Sequence, residues 1–422
     1  MEDTEVLIIG AGMAGLAAAR RLHRAGRHFL VVEAANRVGG RVVTDVVDGF
    51  RIDRGFQVVN TAYPRLAALV DLSALRLGYF REGVLVRHRG DLVRYAHPVR
   101  DARGTPAMAK DLARHRIGTL ADHARLAGLL ARYAGMPVSR LLDTEERTAA
   151  EALSSLSPAM LDGLVRPYLA GVFADPDLGV SEHVLAMVVR SFARGRIGLP
   201  AAGIAAVPEA LAAPLPRGRI RLAQRVDRLD GMTAWTSSGP LRARAVIVAT
   251  DPVTAARLVP AVAAPRMLPL TTVYHVASRP PLREPVLVVD GDGWRHGGVL
   301  NTIVVSNAVP SYAPGGRALI ATTLAAADAD ERAVRRELAR VYGTPTDGWE
   351  HLTTVRIPDA LPEAAPPTHR LRRPTRMTEG LYVAGDHRDS PSVQGALASG
   401  WRAAAQADAD LARQHQIAST HA

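Results

Sequence analysis

The stretch that decides the fold is residues 6–41, which read VLIIGAGMAGLAAARRLHRAGRHFLVVEAANRVGGR. Residues 6–9 are apolar and mostly β-branched, which is typical of a strand buried on both faces of a parallel sheet. G-x-G-x-x-G follows directly, and residues 16–24 then have the spacing and the alanine content of a helix that ends at Gly26. A second apolar strand over residues 29–32 completes a predicted βαβ unit.

The glycine turn and the acid after the second strand together predict a dinucleotide site. Gly10 permits the tight turn, Gly12 lets the backbone approach a pyrophosphate, and Gly15 lets helix and strand pack closely. The helix N-terminus favours the negative charge of the phosphates. Glu33 stands about 20 residues further on, where a carboxylate accepts hydrogen bonds from a ribose. A glycine turn that served packing alone would not explain why the strand, the helix, the second strand and Glu33 follow one another at these positions.

Two stretches resemble motifs of one known superfamily. Residues 33–41, EAANRVGGR, resemble E-A-x-x-R-x-G-G-R, the second glycine motif of the FAD-dependent amine oxidase, protoporphyrinogen oxidase and phytoene desaturase superfamily. Residues 381–400, LYVAGDHRDSPSVQGALASG, resemble its closing FAD motif. The resemblance implies an α/β fold, in which a Rossmann-like FAD-binding domain of the glutathione-reductase type is joined to a discontinuous α+β substrate domain.

The resemblance also implies where the domains divide. The FAD-binding domain would take residues 1–78, 219–265 and 371–422. The substrate domain would take residues 79–218, which are mainly helical, and residues 266–370, which are mainly β-sheet.

Hydrophobic periodicity is consistent with this division. It predicts a hairpin over residues 84–88 and 92–95, helices throughout residues 105–215 with one over residues 159–170, and strands between residues 270 and 357. The proline-rich residues 358–374 are expected to lead the chain back to the cofactor domain.

Carried onto this chain, the resemblance implies a set of residues that contact FAD. They are Gly10, Gly12, Met13, Ala14, Gly15, Glu33, Ala34, Arg37, Gly40, Arg41, Gly55, Phe56, Gln57, Val226, Thr250, Gly385, Asp386, Ser392, Val393, Gln394 and Ala396. Val226 is the candidate for a backbone contact to the adenine, and Gly55 would allow close approach to the isoalloxazine. Gln57 is a candidate for a hydrogen bond near the flavin or the substrate, with a surface glutamine as the alternative.

A further stretch supplies candidates for the substrate pocket. Residues 166–176, RPYLAGVFADP, resemble the segment at this place in protoporphyrinogen oxidase-like proteins. Tyr168 and Phe173 are therefore candidates for the lining of an apolar pocket, together with Gln57 and Tyr274. Ordinary core packing is the alternative for the aromatic residues, and no catalytic acid or base is assigned.

Residue composition limits the chemistry. The 422 residues suggest two or three domains and contain no cysteine, which excludes disulfides, a thiol nucleophile and a cysteinyl-linked flavin, so FAD is expected to bind non-covalently. His275, His296, His351 and His369 lack metal-ligand spacing, so no metal is expected. Neither a signal peptide nor a transmembrane segment is predicted, and the cytoplasm is the expected location.

The net charge of +11 comes from arginines spread over the whole chain, and Lys110 is the only lysine. This bias is typical of a GC-rich coding sequence, so no nucleic-acid partner is expected. The densest basic region, residues 87–116, is interpreted as a solvated face, with peripheral contact to an anionic membrane surface as the alternative.

Two departures from the amine oxidases favour the protoporphyrinogen oxidase and carotene desaturase side of the superfamily. The lysine that holds a water at flavin N5 has no counterpart, because Lys110 lies in the predicted helical segment. Ser392, Val393 and Gln394 stand where monoamine oxidases have an aromatic residue, so the aromatic cage for an amine is incomplete.

The sequence thus predicts an FAD-dependent oxidase or dehydrogenase. Its substrate would be a hydrophobic small molecule that loses hydride from a C–C or C–N bond to flavin N5, with oxygen or a quinone as electron acceptor. A redox-neutral flavin-dependent isomerase is one alternative. A non-enzymatic carrier of the GDP-dissociation-inhibitor type is another, although the intact glycines argue against it. Substrate identity and oligomeric state are left open.

Overall fold

The computed structural model describes residues 2–97, 100–101, 104–293 and 298–420. His296, one of the histidines considered above, lies outside the described residues.

The strands, in chain order, are β1 Glu2–Ile9, β2 Phe29–Val32, β3 Thr44–Val47, β4 Phe50–Asp53, β5 Val59–Asn60, β6 Gly78–Tyr79, β7 Gly83–His88, β8 Asp91–Ala96, β9 Ile197–Leu199, β10 Ile220–Arg221, β11 Val226–Asp230, β12 Thr233–Thr236, β13 Gly239–Val248, β14 Met267–Ala277, β15 Leu287–Asp290, β16 Asn301–Val304, β17 Ala318–Leu324, β18 Glu350–Pro362, β19 Arg376–Thr378 and β20 Leu381–Val383.

The α-helices are α1 Met13–Arg24, α2 Pro64–Leu69, α3 Gly104–His115, α4 Leu120–Gly135, α5 Val138–Leu142, α6 Ala149–Ala152, α7 Pro158–Met160, α8 Arg166–Phe173, α9 Glu182–Arg194, α10 Ala206–Ala212, α11 Pro252–Leu258, α12 Val305–Ala308, α13 Glu331–Tyr342 and α14 Val393–Thr420. A π-helical turn, Leu161–Val165, joins α7 to α8.

The first sheet is built around β1. Its strand order is β10-β2-β1-β13-β12-β11, with β20 beside β13 and β19 beside β20. The pairs β1–β2, β1–β13 and β13–β20 are parallel, so the carboxyl ends of these strands meet at one edge. A fold of this kind binds its ligand at that edge. The predicted βαβ unit is therefore present, with α1 beginning three residues earlier than the sequence indicated.

Helices α1 and α14 cover one face of this sheet and touch through small residues. A side chain at Gly400 would place its Cβ 2.0 Å from the carbonyl oxygen of Ala14. In the same way, a Cβ at Gly15 would lie 1.9 Å from the carbonyl oxygen of Gly10. Only glycine permits these approaches, and they bring both ends of the chain into one layer.

The second sheet has the order β18-β14-β17-β16-β15-β7-β8. Its β7–β8 hairpin comes from the first part of the chain and joins β15 in parallel. Alternate residues point to opposite faces, so one face packs against α13 through residues such as Val273 and Ile320. The other face carries Tyr274, Ile303 and Ala321 and packs against Phe50.

The structure differs from the sequence-based expectation at three places. Strand β9 interrupts the predicted helical region and pairs with β5 and β6, where a Cβ at Gly198 would lie 2.6 Å from the carbonyl oxygen of Gly78. Strand β18 continues to Pro362 instead of ending before the prolines, because it is an edge strand that tolerates them. The helix predicted over residues 159–170 is divided by the π-helical turn. The proposed domain boundaries stay a prediction.

Asp53 at the end of β4 connects four parts of the chain. It is 3% exposed, and its carboxylate accepts hydrogen bonds from the Thr44 hydroxyl at 2.6 Å, the Ile204 backbone N–H at 3.0 Å and the Tyr312 hydroxyl at 2.7 Å. Its backbone carbonyl accepts from the Tyr274 hydroxyl at 2.7 Å. Burial raises the pKa of Asp53, and these donors compensate for part of the cost of burying the carboxylate.

We predict that Asp53→Ala lowers the free energy of unfolding by about 3 kcal/mol, because buried donors lose their shared acceptor. Urea unfolding followed by circular dichroism measures the change. The matched control is Asp45→Ala in the same hairpin, which removes an exposed ion pair with Arg54 of 2.6 Å and is expected to cost less than about 1 kcal/mol. Equal losses in both variants would show that Asp53 is not the connecting residue.

Candidate functional site

Two backbone turns meet at the carboxyl edge of the first sheet. The N–H of Gly39 donates to the carbonyl of Ala11 at 2.9 Å, and Gly12 and Gly39 form an isolated bridge. A Cβ built at Gly12 has the Cα of Gly40 as its nearest neighbour, at 3.9 Å, and Gly40 is exposed. Within the described part of the chain, no side chain caps the N-terminus of α1. Free N–H groups and open backbone here suit a phosphate group.

Glu33 lies beside this turn, as the sequence predicted for the acid after β2. Its carboxylate accepts from the backbone N–H groups of Ala11, at 2.7 Å, and Ala35, at 2.8 Å. The backbone carbonyl of Glu33 accepts from the N–H of Gln224 at 2.8 Å. This contact brings the segment that leads into Val226 next to Glu33, so the candidate adenine and ribose residues are neighbours.

Arg37 carries an unsatisfied donor near the same turn. Its Nε is buried and has no hydrogen-bond partner among the described residues. A buried guanidinium N–H without an acceptor is unfavourable unless a ligand supplies one. The arginine therefore fits a site for an anionic group.

The end of the chain meets the second glycine turn through an ion pair. The guanidinium of Arg41 donates to both carboxylate oxygens of Asp386 at 2.7 Å and to the carbonyl of Ala360 at 2.7 Å. The side-chain amide of Gln57 donates to the carbonyl of Arg41 at 2.8 Å and to that of Arg54 at 2.9 Å. Gln57 is thus held beside the Gly-Gly-Arg turn, and its contact with the flavin or the substrate stays a prediction.

His387 is a residue to which sequence reasoning gave no chemical role. It is 6% exposed, and neither ring nitrogen has a hydrogen-bond partner in the described ranges. Burial lowers its pKa to about 4, so the ring is neutral at pH 7. The ring lies against Gly385, where a Cβ would come within 2.5 Å of it. Its position directly after the Gly385-Asp386 pair was the one available signal.

The other predicted cofactor residues lie at the glycine turns, beside the second sheet and at the start of α14. Met13 and Ala14 are buried in the first turn of α1, Ala34 is exposed, and Thr250 follows β13 beside Gly10. The ring of Phe56 packs edge-on against Phe80 with centroids 5.7 Å apart, and Gly55 lies against Ile357. Ser392, Val393, Gln394 and Ala396 form the approach to α14 and its start, and the Gln394 side chain accepts from the N–H of Arg65 at 2.9 Å.

The substrate-pocket candidates surround one face of the second sheet. Tyr274 is buried on that face, and its hydroxyl is held by the carbonyl of Asp53. Phe173 lines a cavity of about 20 Å³ together with Leu268, Leu361 and Pro391, the last of which belongs to the closing motif. Tyr168 lies one turn earlier on α8, and burial raises its pKa to about 12. Their contact with a substrate stays a prediction.

The described residues contain neither a cluster of metal-ligating side chains nor a helix that could cross a bilayer. In the described ranges, no group of three or more histidine, aspartate or glutamate side chains is arranged to hold a metal. His275 and His351 do approach each other, with ring centroids 6.0 Å apart, but His275 is hydrogen-bonded to Glu331 at 3.0 Å. Of the helices described, none has the length and apolar character needed to cross a bilayer.

The chain is similar in sequence to known flavin-dependent proteins. The family model of flavin containing amine oxidoreductases matches residues 13–407. Putrescine oxidase of Kocuria rosea is 41% identical over 96 residues, which are 22% of this chain and 20% of that protein. Polyamine oxidase 1 of Oryza sativa subsp. japonica is 31% identical over 245 residues, 53% of this chain and 46% of that protein. The matched stretches therefore span less than half the length of these relatives.

A solved structure shows the same fold. It comes from Exiguobacterium sp. 255-15, is named provisionally as a protoporphyrinogen oxidase, and superposes with a TM-score of 0.72 at 20% identity. The superposition covers 96% of this chain and 99% of the other. Because the family model matches nearly the whole chain, this protein belongs to the family of flavin containing amine oxidoreductases.

Proposed function

We propose that this protein dehydrogenates a C–C or C–N bond of a hydrophobic small molecule. As a member of its family it is a flavin-dependent oxidoreductase with FAD as cofactor. When bound, FAD would supply the acceptor for the hydride that leaves the substrate carbon. The residues of the chain then have to bind the cofactor, orient the substrate and exclude water.

The residues at the sheet edge fit the parts of FAD in order. The open turn of Gly12 and Gly40 and the free Nε of Arg37 suit the pyrophosphate. Glu33 suits the ribose hydroxyls as an acceptor. His387, with both ring nitrogens unpartnered among the described residues, offers one donor and one acceptor next to Gly385. Orphaned polar atoms and open backbone at one place support a built cofactor site.

The observation that carries the substrate class is the apolar, aromatic face next to this site. Tyr274 and Phe173 belong to buried clusters, and the segment of Gly55 and Gln57 lies against the same sheet. Lys110, the sole lysine of the sequence, is exposed on α3, so no lysine reaches this face. An apolar surface of this kind suits a hydrophobic skeleton better than a charged metabolite. Oxygen or a quinone is proposed to reoxidise the reduced flavin. The cytoplasm is the proposed location of the protein.

We predict that Glu33→Ala weakens FAD binding by about 1–3 kcal/mol, because charge-assisted hydrogen bonds to the ribose are lost. Equilibrium titration of the apoprotein with FAD measures the change. Glu5→Ala is the matched control: Glu5 lies in β1 next to the start of β2, whereas Glu33 follows the end of β2, and the Glu5 carboxylate accepts from Arg27 at 2.8 Å and from the N–H of His28 at 3.0 Å. Equal weakening in both variants would contradict the assignment of Glu33 to the ribose.

The FAD is expected to be non-covalent, because the phosphate-binding turns are complete and the sequence has no cysteine to form a thioether. Acid precipitation of the purified protein should release the yellow colour into the supernatant. Flavin retained in the washed pellet would instead indicate a covalent link, with the buried His387 as the first residue to replace.

The function is tested by anaerobic reduction of the bound flavin. Tetrapyrrole precursors, polyenes and other apolar compounds are the candidates, and one of them should bleach the oxidised flavin absorption, which oxygen or a quinone then restores. Benzylamine and tyramine should reduce the flavin slowly, since neither a lysine nor a full aromatic cage is available for them. Product formation without bleaching, which persists with a redox-inactive flavin analogue, would refute dehydrogenation. Rapid reduction by simple primary amines alone would refute the substrate class.

A further inference from the structure

Three polar side chains on the second sheet have no partner in the described part of the chain. Thr272, Thr323 and Asn301 are 0%, 3% and 4% exposed. The hydroxyl oxygens of both threonines and the side-chain carbonyl oxygen of the asparagine are buried without a hydrogen bond. Thr272 pairs with Thr323 across β14 and β17, and Thr323 pairs with Asn301 across β17 and β16. They form one continuous row, which we call the polar row.

A row of unsatisfied groups is a costly arrangement in a protein core. Most buried polar groups have a partner, and each one without a partner destabilises the fold. Neighbouring side chains of the same sheet show the usual solution. On the opposite face, the hydroxyl of Thr302 bonds to those of Thr322 and Tyr342, each at 3.0 Å. The polar row therefore differs from adjacent positions in the same strands.

The polar row faces the candidate substrate region. Alternation along the strands places Thr272 on the same face as Tyr274, and Asn301 on the same face as Ile303. At one end, α8 passes over the row, because a Cβ at Gly171 would lie 2.4 Å from the side-chain nitrogen of Asn301. Since α8 also carries Tyr168 and Phe173, this end of the row adjoins the aromatic candidates.

The other end of the row points toward the cofactor edge. Thr272 pairs with Val355 of β18, and Ile357 lies two residues further on the same strand. Ile357 lies against the segment of Gly55 and Gln57, since a Cβ at Gly55 would come within 3.0 Å of it. The row thus runs from α8 toward the residues that adjoin Gln57.

We propose that the polar row binds a hydroxyl or N–H group of the substrate. The carbonyl oxygen of Asn301 only accepts hydrogen bonds, and the threonine hydroxyls both accept and donate, so the ligand has to supply a donor. The substrate is then an apolar skeleton with at least one hydroxyl or N–H donor, which the row orients on the sheet face. This proposal rests on the proposed function, because it assumes that the substrate lies on this face.

The first test needs no ligand. Thr323→Val removes a hydroxyl that has no partner, so the melting temperature of the flavin-loaded protein should stay the same or rise. Thr322→Val, the next residue on the opposite face of β17, breaks the hydroxyl network and should lower it by several degrees. Thr272→Val should behave as Thr323→Val does. A fall for Thr323→Val as large as that for Thr322→Val would show that the hydroxyl is satisfied in the core and would overturn the proposal.

The second test asks whether the row recognises a donor. Benzyl alcohol, benzyl methyl ether and ethylbenzene share a ring but offer a donor, an acceptor only, and neither group. Perturbation of the oxidised flavin spectrum should show benzyl alcohol binding about fivefold more tightly than the ether, as one hydrogen bond allows. Thr323→Val and Asn301→Leu should abolish this preference, and Thr322→Val should retain it. No preference in the unaltered protein, or a preference that persists in Thr323→Val, would overturn the proposal.

Failure of this inference can be separated from failure of the proposed function. If the flavin is reduced anaerobically by apolar substrates while the row shows no donor preference, only the polar row is refuted. If the row selects benzyl alcohol but no compound reduces the flavin, the dehydrogenase is refuted and the binding site stands.

Discussion

Two glycine-containing turns touch where β1 ends, and the rest of the molecule is arranged around that contact. The N–H of Gly39 bonds to the carbonyl of Ala11, and a side chain at Gly15 would collide with Gly10. These approaches leave the N-terminus of α1 open for phosphate, with Glu33 and the unpaired Nε of Arg37 beside it. A Cβ at Gly15 or Gly39 would lie 1.9 or 2.4 Å from a backbone oxygen, so a side chain at either position would displace the backbone.

The second sheet is joined to this contact by polar groups that are themselves buried. Asp53 accepts hydrogen bonds from Thr44 and Tyr312, and Arg41 pairs with Asp386 near the end of the chain. Burial disfavours a charged carboxylate, so a buried carboxylate needs several hydrogen-bond donors to compensate for the loss of water. These links fix the Tyr274 face of the second sheet relative to the glycine turns. The proposed hydride transfer would need such a fixed arrangement, because small displacements of reacting groups slow the reaction.

The sequence predicted those parts of the structure that depend on interactions between residues close together in the chain. The βαβ unit, the position of Glu33 and the β7–β8 hairpin follow from glycine spacing and hydrophobic periodicity, which act over a few residues. The extension of β18 depended on its being an edge strand, which no local pattern reports. The burial of His387 and the alignment of Thr272, Thr323 and Asn301 depend on register between distant strands. Residue type alone could not indicate that these four side chains carry buried polar atoms without hydrogen-bond partners among the described residues.

A crystal structure of the protein loaded with FAD would test the proposed cofactor site directly. We expect the pyrophosphate over Gly12 and Gly40 with Arg37 as a ligand, and the adenine ribose at Glu33. We also expect the isoalloxazine beside Gln57, facing the side of the second sheet that carries Tyr274. Cofactor density with its flavin ring directed away from that sheet face, or a pyrophosphate bound elsewhere than at the paired glycine turns, would contradict the account.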